Sequence, residues 1–234
     1  MPDDVLAEAL AHAARRLNEV SSLEETLTEI VRTARVSVPG ADHAGVTLAH
    51  PDGRLDTLAA TGDRVHEFDA IQYELGEGPC VYAIEADTIV HVPDVRAERR
   101  WPSFMAEAGR RGLRAQIGVR LYADRSGQAG LNIYSEQEHG LDDTSAQAAD
   151  IFAAHAALAM GKARAIDQLQ EGMRTRQRIG VAVGLLMHRY QTTEDRAFAF
   201  LVRASSHGNV KLRDVAAEVV RDFEGGLAGG GEAI

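Results

Sequence analysis

The chain is nearly free of cysteine: Cys80 is the only one in 234 residues. A lone thiol excludes an internal disulfide framework and fits a reducing, cytoplasmic setting. Long apolar runs are missing as well. Nothing approaches the roughly 20 apolar residues of a transmembrane helix, so no membrane partner is expected. The opening MPDDVLAEALAHAARRL is acidic and amphipathic, without the basic start and apolar core of a signal peptide. Basic charge is scarce: 25 Lys and Arg stand against 35 Asp and Glu, a formal −10. A nucleic acid is therefore not bound through the general surface, because phosphate contacts need local positive potential. Catalytic signatures are absent too. There is no Walker lysine loop, no His-x-x-x-His zinc pair, no nucleophile elbow and no CxxC. Neither an enzyme nor a metal site is expected. Nor does the N-terminal half read as a phosphoacceptor receiver, since no apolar strand ends in a lone aspartate ahead of a lysine-bearing strand, so control by phosphorylation at Asp is not favoured.

With 45% hydrophobic and 26% charged residues, the chain can hold one mid-sized domain and one small one. Residues 1–160 alternate helix and strand signals in an α+β manner. A single amphipathic helix is predicted from about Val5 to Val38. Ala44–Ala49 reads as a strand, followed by a Pro51-Asp52-Gly53 turn and a second strand through Leu58. A turn and helix lie in Leu75–Ala86, and Thr88–Val92 is a short strand. Trp101–Arg111 is helical, and Arg114–Tyr122 with Ala129–Tyr134 forms a hairpin across Asp124-Arg125-Ser126-Gly127. The expected architecture is a mostly antiparallel sheet flanked by two helices, with irregular loops on its other face. Asp142-Asp143 is a cap ahead of a helix rather than a metal site. From Ala146 to Met187 helix signal is unbroken by proline, with Gly161 and Gly172 as weak points. Leu158, Ile166, Leu169, Met173 and Ile179 trace a loose apolar seam along it, which points to a coiled coil and a parallel homodimer formed with the N-terminal helix. Residues 161–175 read as the helical linker.

Residues 176–224 read as three short helices. The first carries Ile179, Ala182, Val183, Leu186 and Met187. Its Gly180 and Gly184 each cost about 1 kcal/mol against alanine, which close approach of a neighbouring helix would explain. The second opens at Thr192-Thr193-Glu194-Asp195, a hydroxyl cap with acids at the positive end of the dipole, and buries Ala197, Phe200, Leu201 and Ala204 before stopping near Gly208. The third is capped by Asn209, carries Leu212, Val215, Ala216, Val219, Val220 and Phe223 in a stripe, and ends at the glycines from Gly225. The tail 225–234 is expected to be disordered. Met173–Glu224 has a formal charge of +3, so the remainder carries −13.

Three words in this region carry a resemblance. The run I-G-x-A-x-G-x-L-M from Ile179, then E-D-R-A-F-x-x-L, then N-V-K-L-R-D-V-A, resembles the ANTAR domain of bacterial antitermination regulators. The resemblance implies an RNA-binding, all-α three-helix module that holds paired stem-loops with six-nucleotide loops in nascent mRNA and keeps a terminator from forming. Many members carry a basic residue where this chain has Val183. Phosphate contacts are expected from Arg176, Arg178, Arg189, Arg203, Lys211 and Arg213, with His207 and Asn209 near the bases. Arg196 and Arg221 read as solvating their helices, paired with Glu194 or Asp222.

Upstream, L-G-E-G-P-C, V-P-D-V, R-W-P-S-F and the strand G-x-x-x-L-N-I-Y-S resemble a GAF domain of the kind found in actinobacterial GAF–ANTAR regulators. An α+β GAF-like sensor domain is thus expected, joined by a long helix to the ANTAR helices. The resemblance implies either an unidentified small-molecule effector or a dimerisation and relay unit, and the fold does not choose between them; no resident cofactor is expected. Tyr73, Cys80, Tyr82, Trp101 and Tyr134 are the candidate pocket residues. Cys80 would sense redox state or hold a chromophore in one reading and be a buried small apolar residue in the other, which is favoured beside a Gly-Pro turn. Packing is likewise favoured for Trp101, and surface positions for His43, His66 and His91 over haem ligation. Two alternatives remain open at this stage: a DNA-binding regulator, and a GAF redox or haem sensor acting through a protein partner.

Overall fold

The structure, a computed structural model, describes residues 2–20, 22–86, 89–124 and 127–229. The chain divides into two compact units, 1–166 and 167–234. Among the described residues, no helix is long and apolar enough to cross a membrane.

The first unit begins with α1 (Pro2–Glu19) and α2 (Leu23–Ser37), where one helix from Val5 to Val38 was expected. The break has a local cause. Ser22 Oγ accepts the Glu25 amide at 3.2 Å while the Ser22 amide donates back to the Glu25 carboxylate at 3.4 Å, a reciprocal cap that starts a new helix. The two helices are tied together through Glu29, which takes hydrogen bonds from Arg16 at 2.6 Å and Arg32 at 2.7 Å.

Five strands follow: β1 (His43–Ala49), β2 (Leu55–Ala60), β3 (Ile89–Val92), β4 (Ala115–Asp124) and β5 (Gly127–Ser135). They form one antiparallel sheet in the order β2-β1-β5-β4-β3. Thr88, Arg125 and Ser126 of the expected strand and hairpin turn lie outside the described residues. Strand alternation sorts the side chains to two unlike faces. Ala44 and Val46 of β1, Ala115, Ile117, Val119 and Leu121 of β4, and Ala129, Leu131 and Ile133 of β5 form an apolar face. It is covered by α2, by Ala13 and Leu17 of α1, and by Phe152, Ala156 and Met160 of α6 (Asp143–Tyr190).

The opposite face carries Thr47, Gln116, Asn132 and Tyr134, together with Gly45, Gly118 and Gly130. Irregular loops were expected there, but α3 (Asp63–Leu75) and α4 (Pro79–Ala86) lie on the strands, and α5 (Pro102–Arg110) packs against α3; α4 and α5 fall where helices were expected. The glycines permit that cover. A Cβ on Gly118 would stand 2.9 Å from the Pro79 carbonyl oxygen, and one on Gly130 would stand 2.9 Å from Ile84 Cγ1. Helix α4 therefore rests directly on the strand backbone.

Helix α6 runs unbroken for 48 residues, through Gly161 and Gly172. Asp142 caps it, its carboxylate accepting the Ser145 amide at 2.9 Å, as the acidic doublet suggested. In the second unit the C-terminal part of α6 packs with α7 (Glu194–Gly208) and α8 (Leu212–Gly229) around Ala182, Val183, Leu186, Ala197, Leu201, Val215 and Ala216. Four sequence expectations change here. Thr193 precedes α7 but makes no side-chain cap bond. Asn209 closes α7 in the left-handed region at φ 49° instead of opening α8. Helix α8 passes through Gly225 and Gly226 to Gly229, so that part of the expected disordered tail is helical, and 230–234 lie outside the described residues. Phe200, expected in the buried face, is 46% exposed.

Candidate nucleic-acid interface and sensor pocket

The sensor interior is built on the polar face of the sheet. Asp69 and Gln72 of α3 point onto it and are fully buried. Asp69 accepts hydrogen bonds from the Tyr134 hydroxyl, from Thr57 Oγ1 at 2.7 Å and from Asn132 Nδ2 at 3.3 Å. Asn132 also donates to Thr47 Oγ1 at 2.9 Å and to Cys80 Sγ at 3.0 Å. The Tyr73 hydroxyl closes the cluster against Thr47 at 2.7 Å and Thr57 at 3.1 Å. The side-chain oxygen of Gln72 anchors α4 by accepting the Cys80 amide at 3.0 Å. Two buried acceptors, Gln116 Oε1 and Asn132 Oδ1, have no protein partner.

This interior is electrically quiet. Burial raises the Asp69 carboxyl above its ordinary range, although its donors pull the other way. Burial, aided by the nearby Asp69 charge, pushes the Cys80 thiol up to about 12. Cys80 is thus a buried thiol and not a thiolate nucleophile. Native protein at neutral pH is expected to react with Ellman's reagent only as fast as it unfolds. Labelling within seconds, with the fold intact by circular dichroism, would restore the redox reading.

Beside the cluster lies a cleft of about 540 Å³ between the β1–β2 turn, the start of β5, the end of α3 and α4, lined by His50, Leu55, Tyr73, Ile84, Glu85 and Gln128 among others. Of the expected pocket residues, the structure brings Tyr73, Cys80 and Tyr134 together. It places Tyr82 outward, 45% exposed and edge-on to Trp101, which is buried in the apolar cluster of α3, α5 and β3. Asp69, Gln72, Thr57 and Asn132 were not anticipated. The one signal available was a polar residue in each of two otherwise apolar runs, F-D-A-I and L-N-I-Y. His43, His66 and His91 sit on separate elements, β1, α3 and β3.

The second unit differs sharply in how its cations are used. In the first unit Arg16, Arg32, Arg54, Arg64, Arg96, Arg100, Arg110 and Arg111 all lie against carboxylates. In the second, among the described residues, only Arg213 does, 3.7 Å from Asp214. Arg176, Arg178, Arg189, Arg203 and Lys211 are exposed and form no ion pair, and neither do Arg196 and Arg221, whose expected pairs with Glu194 or Asp222 are not made. Val183 is buried in the three-helix core, so this position supplies packing and no phosphate contact. Ser205 fixes the α7–α8 connection, its carbonyl accepting the Val210 amide at 3.1 Å and its hydroxyl donating to the Val210 carbonyl at 2.6 Å, which sets Asn209 and Lys211 at an exposed corner. The side chains of Gly180 and Gly184 were expected to be missing for the sake of a neighbouring helix, but a Cβ at either would meet nothing within 4 Å.

Comparison with known proteins follows the same division. A GAF domain model matches residues 20–161 and an ANTAR domain model matches residues 167–220. No curated protein matches the chain. Among solved structures, the GAF domain of a phosphoenolpyruvate-protein phosphotransferase from Coxiella burnetii is 19% identical, with a TM-score of 0.52 over 68% of this chain and 95% of that one. The photosensory core module of the Stigmatella aurantiaca phytochrome is 11% identical, with a TM-score of 0.61 over 84% of this chain and 44% of that one. A free methionine-R-sulfoxide reductase from Neisseria meningitidis, solved with its substrate, is 16% identical, with a TM-score of 0.51 over 70% and 93%. At these identities the likeness is one of fold alone.

Proposed function

The chain belongs to the GAF domain family and carries an ANTAR domain behind its GAF domain, and from that premise we propose that it is a signal-responsive regulator of transcription antitermination. In this reading the ANTAR unit holds paired stem-loops with six-nucleotide loops in nascent mRNA, so that a terminator hairpin does not form. The chemistry is binding, not bond making. The observation that carries the reading is that, among the described residues, the cations of 167–220 other than Arg213 form no ion pair, whereas eight arginines of the first unit lie against carboxylates. Cations without carboxylate partners are available to phosphate, and they release counter-ions when RNA arrives.

The test is fluorescence anisotropy with a two-hairpin RNA and with duplex DNA across a salt series. RNA is expected to bind more tightly, with an affinity that falls steeply as salt rises. Replacing Lys211 and Arg213 together by alanine should weaken binding by about tenfold per lost contact and flatten the salt slope by roughly 1.4, at about 0.7 per single-stranded phosphate. Equal affinity for duplex DNA would favour the DNA-binding reading. Failure to bind RNA even at low ionic strength would sink the proposal.

A parallel homodimer completes it. Leu169 and Met173, each 69% exposed, share one face of α6 with the open Gly180 and Gly184, at steps of four, seven and four residues. Two copies joined along this face present two ANTAR units to two loops, and the second contact becomes intramolecular. The input is a small-molecule effector at the cleft lined by Tyr73, whose hydroxyl also belongs to the buried polar cluster.

A further inference from the structure

We propose that the groove between the last turn of α6 and α7, walled by Tyr190 and Phe200, receives an unstacked RNA base whose flanking phosphates are held by Arg196 and Arg203. The inference rests on the RNA-binding reading above and adds a base site at Tyr190 and Phe200 to the cations that reading uses.

Geometry comes first. Arg196, Phe200, Arg203 and His207 recur at steps of four, three and four, which puts them on one face of α7, away from the buried Ala197, Leu201 and Ala204 side. An aromatic ring thus stands between basic side chains along a single helical row. Tyr190 of α6 meets that row, its ring centroid 6.2 Å from that of Phe200 and the two planes inclined at 36°. The rings touch each other yet stay open to solvent, Tyr190 at 59% and Phe200 at 46%. Together with Leu186, Thr192 and the two arginines they line a groove of about 480 Å³, within the roughly 300–1,000 Å³ of small-ligand sites.

Two adjacent exposed rings are an unusual thing to leave in water. The charges around them decide what covers them. Among the described residues Arg196 and Arg203 form no ion pair, and the Arg189 guanidinium lies 5.8 Å from the centre of the Tyr190 ring. The single carboxylate in the lining, Asp195, repels phosphate but accepts from base N–H groups, so a base edge and not the backbone faces it. A flat π surface beside free guanidinium groups matches a single-stranded nucleotide: the base stacks and the phosphates pair. A paired duplex keeps its base faces stacked and offers none to the rings, whereas a hairpin loop can splay one out.

The experiment uses the full chain and a fluorescein-labelled RNA of two hairpins with randomised six-nucleotide loops. A matched RNA carries abasic sites at every loop position, which keeps the phosphates and removes the bases. Wild-type protein is expected to bind the intact loops at least about tenfold more tightly than the abasic ones. Replacing Tyr190 and Phe200 by leucine should abolish that preference without changing the salt slope, and Tyr190→Phe with Phe200→Tyr should restore it. Lys211→Ala with Arg213→Ala should weaken both RNAs alike and keep the preference. If the wild type binds both RNAs equally, or if the leucine variant discriminates as well as the wild type, the groove is not a base site, although RNA binding itself stands. If the wild type binds neither RNA at low salt, the RNA reading falls and the groove assignment falls with it. The abasic comparison on the unmodified chain needs no variant to fold.

Discussion

Replacing Asp69 by alanine is expected to destabilise the GAF domain by about 3 kcal/mol, while asparagine at the same place should leave it as stable as the wild type or more so at neutral pH. The alanine leaves the buried Tyr134 hydroxyl without its acceptor and takes one acceptor each from Thr57 Oγ1, which keeps Tyr73, and Asn132 Nδ2, which keeps Thr47 and Cys80; a buried group left unsatisfied costs about 1–3 kcal/mol. For a domain of this size the loss corresponds to roughly 10 °C in melting temperature. Asparagine keeps an oxygen for Tyr134 and Asn132 and turns its amide toward Thr57 Oγ1, which can then donate to Tyr73 at 3.1 Å. It also removes a titration. Because the folded Asp69 carboxyl lies above its ordinary value, the folded state holds its proton more tightly than the unfolded chain. Its contribution to stability is complete below the unfolded value and is lost as pH rises through the folded one. The melting temperature of the wild type relative to Asp69→Asn should therefore climb as pH is lowered through the folded value toward the unfolded one. Groups common to both proteins, including the carboxylate of Glu29 held at about 2 chiefly by Arg32, cancel in that difference. A difference that stays flat across the range would mean that Asp69 is ionised throughout.

Leucine at both Gly180 and Gly184 is expected to turn a dimer into a monomer without harming the fold. Neither new side chain would meet an atom of its own chain near the Cβ, and each gains roughly 0.8 kcal/mol of helix propensity. The melting temperature should hold or rise. Across a close helix pair, however, two leucines on each side prevent the approach that glycine permits. Sedimentation velocity should report the mass of one chain, and affinity for a two-hairpin RNA should drop by about 100-fold as bivalence is lost, with single-hairpin affinity unchanged. A variant that sediments as a dimer and binds as before would remove this face of α6 from the assembly.

Much of this architecture was legible because period and polarity agreed. Ala44–Ala49 alternates cleanly, and Ala146–Met187 has no proline to stop it; both are found as β1 and within α6. Helix α3 was missed for the converse reason. Its Asp69 and Gln72 face inward, so the apolar stripe that marks a helix is broken where the sensor interior needs hydrogen bonds. The start of α2 was readable, since Ser22 and Glu25 spell a capping box, yet the longer amphipathic period on both sides masked it. Asn209 suits a helix start and a left-handed stop equally well, and only the backbone decides between them. Ile179, read both into the seam of α6 and into the apolar face of the first C-terminal helix, packs against the three-helix core, as the second reading has it. The Tyr190–Phe200 corner joins two helices across a turn, and the pattern of either helix alone assigns Phe200 to the core.

The unequal use of arginine in the two units also governs encounter. Residues outside Met173–Glu224 carry a formal −13, and their arginines are largely matched to carboxylates, so an RNA drifting toward the GAF unit meets repulsion. One drifting toward the ANTAR unit meets cations of which, among the described residues, only Arg213 lies against a carboxylate. Collisions are thereby sorted by where they land, and association with RNA becomes faster and more selective than chance orientation would allow, most of all when few other ions are present.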